Sequence, residues 1–304
     1  MAKKVCAVTG GRGFMARHLV AALLRSGEWS VRITDLAPVA ALEPEEKEGL
    51  LGAALRDGIA VYASADVCDL ALLTKAFEGV DVVFHTAAAD PVNNSFKLHY
   101  KVNVEGTKNV IDACKTCKVK RLIYTSSSAV VFDGVHGLFG VDESIPYPDK
   151  FIIGDGKNSD DFVYVENVVN GHICAERTLT TKSGAARSGG KAYFITNMEP
   201  MNMWRFIYIV LEELGFKRRI KIKIPAYLLK PIARVLGWNY NKLSSIYGVR
   251  PKFWLTSVTI KYLTLNRTFS CNNAIEQLGY QPIVSLKEGI KITTESYKSM
   301  RYAH

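Results

Sequence analysis

The sequence predicts an α/β fold built on a doubly wound parallel sheet, with a smaller C-terminal region after it. Three observations carry this. Short apolar runs that read as buried strands alternate with helical segments as far as Ser128, the pattern of parallel βαβ units. The first run breaks into Gly10-Gly11-Arg12-Gly13 and then opens a helix. The second run ends in an acid, Asp35, about 20 residues beyond that loop.

The first strand, Val5 to Val8, precedes a helix whose apolar positions are Phe14, Leu19, Val20, Leu23 and Leu24. Gly10 permits a tight turn and Gly13 lets the backbone approach a pyrophosphate. Ala16 stands where close helix–strand packing needs a small residue. The helix N-terminus offers N–H groups and positive dipole to phosphates. Gly10, Gly11, Arg12, Gly13, Phe14 and Met15 therefore form the phosphate end of a dinucleotide site. The second strand, Ser30 to Leu36, contributes Asp35, whose carboxylate accepts bonds from ribose hydroxyls and repels a 2′-phosphate. NAD is the expected cofactor. Arg12 argues the other way, since it could pair with a 2′-phosphate.

Leu42 to Leu55 reads as helical and Gly58 to Asp66 as strand three. Asp66 either accepts the adenine amino group, with Val67 packed on the ring, or is an ordinary strand-end turn residue. Leu70 to Phe77 is a short helix. Val80 to Ala88 is strand four, and Thr86, Ala87 and Ala88 are small enough for a cofactor to lie over them. His85 reads as a packed core residue. Tyr100 to Lys115 is a helix with Asn103 as a polar residue in an apolar stretch. Lys120 to Ser128 is strand five, with hydroxyls at the carboxyl edge of the sheet, where ligands bind in open α/β folds.

From Ala129 the alternation fails and turn residues dominate. Asp161 to Val165 then reads as a short strand, Glu166 to Thr178 as a helix, Gly184 to Gly190 as a flexible loop, Lys191 to Asn197 as a strand and Trp204 to Leu214 as a helix. Ile224 to Trp238 is apolar with a few cations. The expected division is residues 1–150 as a dinucleotide-binding domain and 151–304 as the rest of the sheet with a substrate- and membrane-facing region.

At 304 residues and 48% hydrophobic content the chain can bury a sizeable core as one large or two modest domains. No run of 18 apolar residues predicts a spanning helix, and the start Met-Ala-Lys-Lys does not read as a signal peptide. The six cysteines lack disulfide-framework spacing, which fits a reducing compartment. Cys114-Lys-Thr-Cys117 has no second pair to complete a zinc site, and no metal is expected. Residues 201–304 hold 17 Lys+Arg against 5 Asp+Glu, whereas residues 1–200 hold 22 against 24. The basic C-terminal third, sharpest at Lys217 to Lys223, is a solvated face or a seat for an anionic membrane surface. No nucleic-acid recognition motif accompanies it.

These residues resemble the extended short-chain dehydrogenase/reductases, and within them the 3β-hydroxysteroid dehydrogenase group. The resemblance rests on Thr9-Gly-Gly-Arg-Gly-Phe14, Asp35, Asn103-Val-Glu-Gly-Thr107 and Tyr124-Thr-Ser-Ser127. It continues through Gly154-Asp-Gly-Lys-Asn158, Asp161-Phe-Val-Tyr-Val-Glu-Asn167, Tyr193-Phe-Ile-Thr-Asn-Met-Glu-Pro200, Arg267-Thr-Phe-Ser-Cys271 and Leu278-Gly-Tyr-Gln-Pro282. Within the group the sequence is similar to the plant-type, decarboxylating sterol-4α-carboxylate 3-dehydrogenases. The resemblance implies an NAD(P)-binding Rossmann fold and NAD-linked oxidation of the 3β-hydroxyl of a sterol. It also implies work at the cytosolic face of the endoplasmic reticulum, with a plain cytoplasmic location as the alternative and a homodimer as a further possibility.

Such enzymes hold a Ser, a Tyr and a Lys together. The Tyr phenolate takes the hydroxyl proton, and a Lys one helical turn later favours that phenolate, whose free pKa is about 10. Aligned on Tyr-Thr-Ser-Ser, Ser127 takes the Ser role, with Ser126 and Ser128 as rivals. The Tyr and Lys are missing: no Tyr in the chain is followed four places later by Lys. Tyr147-Pro-Asp-Lys150 has the wrong spacing, and Pro148 is unsuited to a helix interior. In the family the catalytic helix, a strand and a further connection separate a piece like Tyr147 to Lys150 from one like Phe151 to Gly156, and here they abut. The sequence therefore reads as carrying an internal deletion, which sets a dehydrogenase against a non-catalytic chain that only binds. A sugar-nucleotide epimerase or flavonoid reductase is a third reading, opposed by the Phe-Ile-Thr-Asn and Arg-Thr-Phe pieces.

Overall fold

The computed structural model describes residues 3–90, 95–132, 137–145, 158–215 and 265–297. They fall into two compact units, one of residues 1–126 with 168–190 and one of residues 127–167 with 191–304. The expected boundary at residue 150 lies outside the described residues, as do Tyr147, Lys150, the Lys217 to Lys223 cluster and the Ile224 to Trp238 stretch.

The first unit is a five-stranded sheet in the order β3-β2-β1-β4-β5. Its strands are β1 (Lys4–Thr9), β2 (Trp29–Asp35), β3 (Ala60–Ser64), β4 (Val82–His85) and β5 (Arg121–Tyr124). Every pairing is parallel. The order reverses at β1, whose neighbours are β2 and β4, so the ends of these strands form the switch point where dinucleotides bind in such folds. β1 is central, and Cys6, Ala7, Val8 and Thr9 are fully buried, which is why it reads as a continuous apolar run.

Both faces of the sheet are covered. On one, α1 (Phe14–Arg25), α3 (Leu50–Arg56) and the residues from Val168 onward of α7 (Val165–Leu179) join β1, β2, β4 and Ile123 in one apolar core. On the other, α4 (Leu70–Phe77) and α6 (Thr107–Thr116) pack through Leu73, Phe77, Val110 and Ala113 onto Ala7 and Val83. Asp69 caps α4 by accepting from the Leu72 N–H, the ordinary use of an acid at that position. α2 (Pro44–Glu48), α5 (Phe96–His99) and α8 (Lys182–Ser188) are short.

Several boundaries differ from the sequence reading. The helix expected over Leu42 to Leu55 is two, because Gly49 between them is extended. Strand four stops at His85, since Thr86 turns its hydroxyl onto the Thr9 carbonyl at 2.6 Å. The helix expected from Tyr100 begins with a π-helical stretch, Tyr100–Gly106. The loop expected over Gly184 to Gly190 is mostly α8, which Thr181 caps by accepting from the Gly184 N–H.

The second unit has a four-stranded sheet in the order β6-β9-β7-β8. Its strands are β6 (Leu138–Val141), β7 (Ser159–Asp160), β8 (Met201–Asn202) and β9 (Arg267–Phe269), with α9 (Met203–Glu213), α10 (Asn272–Leu278) and α11 (Leu286–Ser296). β6 falls in a stretch rich in turn residues, where the sequence shows only loop. The strand expected over Asp161 to Val165 is instead the two residues before it, because the Tyr164 N–H bonds to the Asn197 side chain. Lys191 to Asn197 forms no strand: the Phe194 N–H bonds to Glu143 and the Thr196 N–H to the Cys271 sulfur.

The motif residues of this unit are its joints. Asn167, fully buried, donates to the Asn197 side chain and the Val284 carbonyl and accepts from the Ile283 and Val284 N–H groups. Asp160 pairs with Arg267, and the Asp161 carboxylate accepts from the Phe269 N–H at 2.7 Å. The Tyr280 hydroxyl donates to the Thr196 carbonyl.

Candidate functional site

The turn after β1 is set by glycine. Gly10 has φ +63°, and a Cβ there would stand 2.8 Å from the Ala87 Cα. A Cβ on Gly11 would stand 2.6 Å from Ile33 Cγ2. The loop therefore lies flat against the ends of β2 and β4, as a cradle for a pyrophosphate requires. Gly13 is the N-cap of α1 and no side chain caps that helix. The N–H groups of its first turn, at Phe14, Met15 and Ala16, have no intrahelical acceptor and are the donors available to a phosphate. Ala16 is buried against the sheet, and the Phe14 ring is exposed, edge-on to His18. These residues fit NAD on the chain's own geometry.

Asp35 ends β2 beside this loop. One carboxylate oxygen accepts from the Arg12 N–H at 2.8 Å and the other from the Leu36 N–H at 2.7 Å. Each oxygen keeps a second acceptor site, enough for a ribose diol. The Arg12 guanidinium points to Glu46 in α2, at 2.6 and 3.1 Å. Burial alone would raise the Glu46 carboxyl, but the bonds from Arg12 and the Glu43 N–H, with the charges of Arg12 and Arg17, hold it below the usual carboxylate range. Asp66 accepts from the Cys68 N–H at 2.8 Å, the turn role, which leaves its other oxygen for an amino group. Val67 is buried beneath it, against Gly106.

The residues after β4 are tied to the helical layer by a hydrogen-bond chain that the sequence reading missed. The Thr107 hydroxyl donates to the Asn103 carbonyl at 2.8 Å, so it accepts from His85 Nε2 at 3.0 Å. His85 Nδ1 then accepts from the Thr9 hydroxyl at 2.7 Å. Thr9 Oγ1 in turn accepts from the Thr86 N–H. The Asn103 side chain accepts from the Ala89 N–H at 2.8 Å. Burial holds His85 neutral, with its pKa lowered to about 4. The ring is fully buried and stacked on Tyr124, so the core role expected for it stands. The available signal was that Thr9 and Thr107 are themselves motif residues.

Ser127 belongs to the second unit. It is exposed, and its hydroxyl accepts from the Ala129 N–H at 3.2 Å, capping a 3₁₀ turn at Ser128–Val131. Among the described residues no group of His, Cys, Asp or Glu could hold a metal ion.

Residues 7–152 and 147–226 match the 3-beta hydroxysteroid dehydrogenase/isomerase family. The chain belongs to this family. It is 44% identical to the 3beta-hydroxysteroid-dehydrogenase/decarboxylase isoform 1 of Arabidopsis thaliana, over 97% of this chain and 80% of the relative. It is 30% identical to the sterol-4-alpha-carboxylate 3-dehydrogenase, decarboxylating, of Homo sapiens, over 98% of this chain and 89% of that one. Among solved structures it is similar to UDP-glucuronic acid 4-epimerase from Bacillus cereus in complex with NAD, with TM-score 0.66 and 18% identity over 98% and 99% of the two chains. That likeness shows the fold.

The family match also comes in two overlapping pieces that meet at residues 147–152. The alignment to the Arabidopsis relative runs over 354 positions, although 97% of this 304-residue chain is about 295 residues. About 60 positions of that relative thus have no counterpart here. That number exceeds the size of a βαβ unit, about 30 residues or more.

Proposed function

We propose that this chain acts in sterol biosynthesis as an NAD-dependent 3β-hydroxysteroid dehydrogenase. Its reaction is oxidation of the 3β-hydroxyl of a 4α-carboxysterol with loss of the carboxyl group. The observation that carries this reading is the 44% identity over 97% of the chain to a dehydrogenase/decarboxylase, together with the glycine cradle at the switch point. Bound NAD supplies the hydride acceptor. The N–H groups of Phe14 and Met15 hold the pyrophosphate, with Gly13 letting the backbone approach it, Asp35 takes the ribose, and Asp66 and Val67 take the adenine. Thr86, Ala87, Ala88 and Asn103 border the nicotinamide side, and Ser127 holds the substrate oxygen. Residues 1–126 with 168–190 form the cofactor half, in place of the 1–150 expected from the sequence, and the other unit meets the sterol.

A second reading has one observation in its favour, the absent Tyr-x-x-x-Lys segment. A chain without it has no positioned phenolate to take the hydroxyl proton and acts by binding alone. The assay is NADH formation at 340 nm with a 4α-carboxy-3β-hydroxysterol. Sterol-dependent NADH that is lost in Ser127→Ala supports the dehydrogenase, and NAD binding without NADH supports the binder. Location at the endoplasmic reticulum surface is supported by the basic C-terminal third beside an apolar stretch, and no described helix is long and apolar enough to cross a membrane. Homodimer formation belongs to the same reading, supported by the exposed apolar residues Phe96, Tyr100 and Val104 on one helical line.

A further inference from the structure

The Arg12 side chain poses the one conflict in the cofactor site. A guanidinium beside the acid that ends β2 is the group that would recognise a 2′-phosphate, and here it stands next to Asp35 in a protein of an NAD-linked family. The structure shows how it is silenced. Arg12 sets both terminal nitrogens on the Glu46 carboxylate, at 3.1 and 2.6 Å, and one of them also on the Ala41 carbonyl at 2.7 Å. The geometry is the bidentate fork that makes Arg–carboxylate pairs strong and directional. Both side chains are largely withdrawn from solvent, with 14% and 17% exposure, so solvent screens the pair less than it would a surface pair.

Glu46 is itself held in place. Its Oε1 also accepts from Arg17 Nε at 3.0 Å, and its Oε2 from the Glu43 N–H at 3.0 Å. That second bond is half of a capping box at the start of α2. Asp35 takes its bond from Arg12 at the main-chain N–H, whereas the guanidinium turns to Glu46. The formal charges of Arg12, Arg17, Asp35 and Glu46 cancel, so a 2′-phosphate arriving at Asp35 meets a carboxylate while the Arg12 charge is held by Glu46.

We propose that Glu46 is a cofactor-specificity residue: by clamping the Arg12 guanidinium it denies NADP its phosphate partner and leaves the Asp35 end of the site selective for NAD. The assignment rests on the cofactor reading above. It predicts that preference is set by two acids, one that meets the ribose and one that never touches the nucleotide.

The test is titration of the purified chain with NAD and with NADP, for the unmodified protein, Glu46→Gln and Glu46→Gln with Arg12→Met. Charge-assisted bonds to a phosphate support an expected gain of about tenfold in NADP affinity in Glu46→Gln. NAD affinity should change little, because the Arg12 N–H still orients Asp35. The NADP gain should vanish in the double variant, as it would not if Glu46 only repelled the phosphate. Equal weakening of NAD and NADP in Glu46→Gln would reduce the residue to a helix cap and overturn the assignment. An unmodified chain that binds neither nucleotide overturns the cofactor reading and the assignment with it. If Glu46→Gln loses its melting transition, Glu46→Asp decides. Its shorter arm cannot reach both nitrogens, so the NADP-to-NAD ratio should rise about threefold, and an unchanged ratio would count against the clamp.

Discussion

At the scale of single residues the cofactor loop was legible because each requirement is local. A turn with positive φ needs glycine, and Gly10 supplies it at φ +63°. A ribose diol needs an acid at the end of the second strand, and Asp35 stands there. Asp35→Ala should narrow the preference for NAD over NADP, since it removes both the diol acceptor and the charge that repels the 2′-phosphate. Kd values for the two nucleotides check this. Equal or tighter binding of NADP by the unmodified chain would overturn it. The roles of Thr9, His85 and Thr107 were not legible, because they depend on strands and helices that are distant in sequence meeting in space.

His85 also carries a pH dependence. Its folded pKa is lowered to about 4 by burial, against about 6.5 for an unperturbed histidine. Between those values the unfolded chain binds the extra proton, so stability is fully present above about pH 6.5 and is lost as pH falls towards 4. The loss from this one residue is about 3 kcal/mol at most. His172 is lowered by burial too and acts in the same sense. Asp160, pushed up to about 6 by burial despite its Arg267 partner, acts in the opposite sense. Urea unfolding at pH 7 and pH 4.5 should therefore show a smaller pH difference in His85→Gln than in the unmodified chain. An identical difference would remove His85 from the account.

At the scale of elements, period and composition found the five parallel strands and most helices, and failed where partners decide. Lys191 to Asn197 has strand composition, yet its N–H groups go to Glu143 and Cys271. A strand needs a neighbouring strand, and among the described residues none pairs with this stretch. α8 was hidden by glycines at 184, 189 and 190, although Thr181 and two alanines favour a helix. The π-helical stretch Tyr100–Gly106 had no sequence signal, and such turns concentrate at functional sites. It sets Asn103 under Ala89, and a Cβ on Gly106 would stand 2.8 Å from Val67 Cγ2. Gly106→Ala should push this helix off Val67 and weaken NAD binding about tenfold or more, with a loss of stability of about 1–3 kcal/mol. Calorimetric titration beside a melting curve separates the two effects, and unchanged NAD affinity would count against the role given to this stretch.

At the scale of the whole molecule, family membership was legible because its motifs serve as joints as well as site residues. Asn167 and Asn197 bond to each other, and Arg267 pairs with Asp160, within the second unit of a chain that lacks about 60 positions of its Arabidopsis relative. The charge asymmetry predicts membrane association. Residues 201–304 carry 17 Lys+Arg against 5 Asp+Glu, and each cation near an anionic surface contributes about 1 kcal/mol, screened by salt. The purified chain should co-sediment with anionic vesicles at low salt and be released as salt rises. Failure to co-sediment would remove the membrane from the reading.

The central claim is that this chain keeps the cofactor and sterol machinery of its family and lacks the segment that supplies the proton acceptor. NADH formation from NAD and a 4α-carboxy-3β-hydroxysterol tests it most directly, measured on the chain and on a version with a family-type Tyr-x-x-x-Lys insert after Lys150. A positioned general base contributes about 10²–10⁴-fold, so the insert should raise sterol-dependent NADH formation by that factor, with NAD and not NADP as the acceptor. No sterol-dependent NADH from either version, or equal rates from both, would contradict the account.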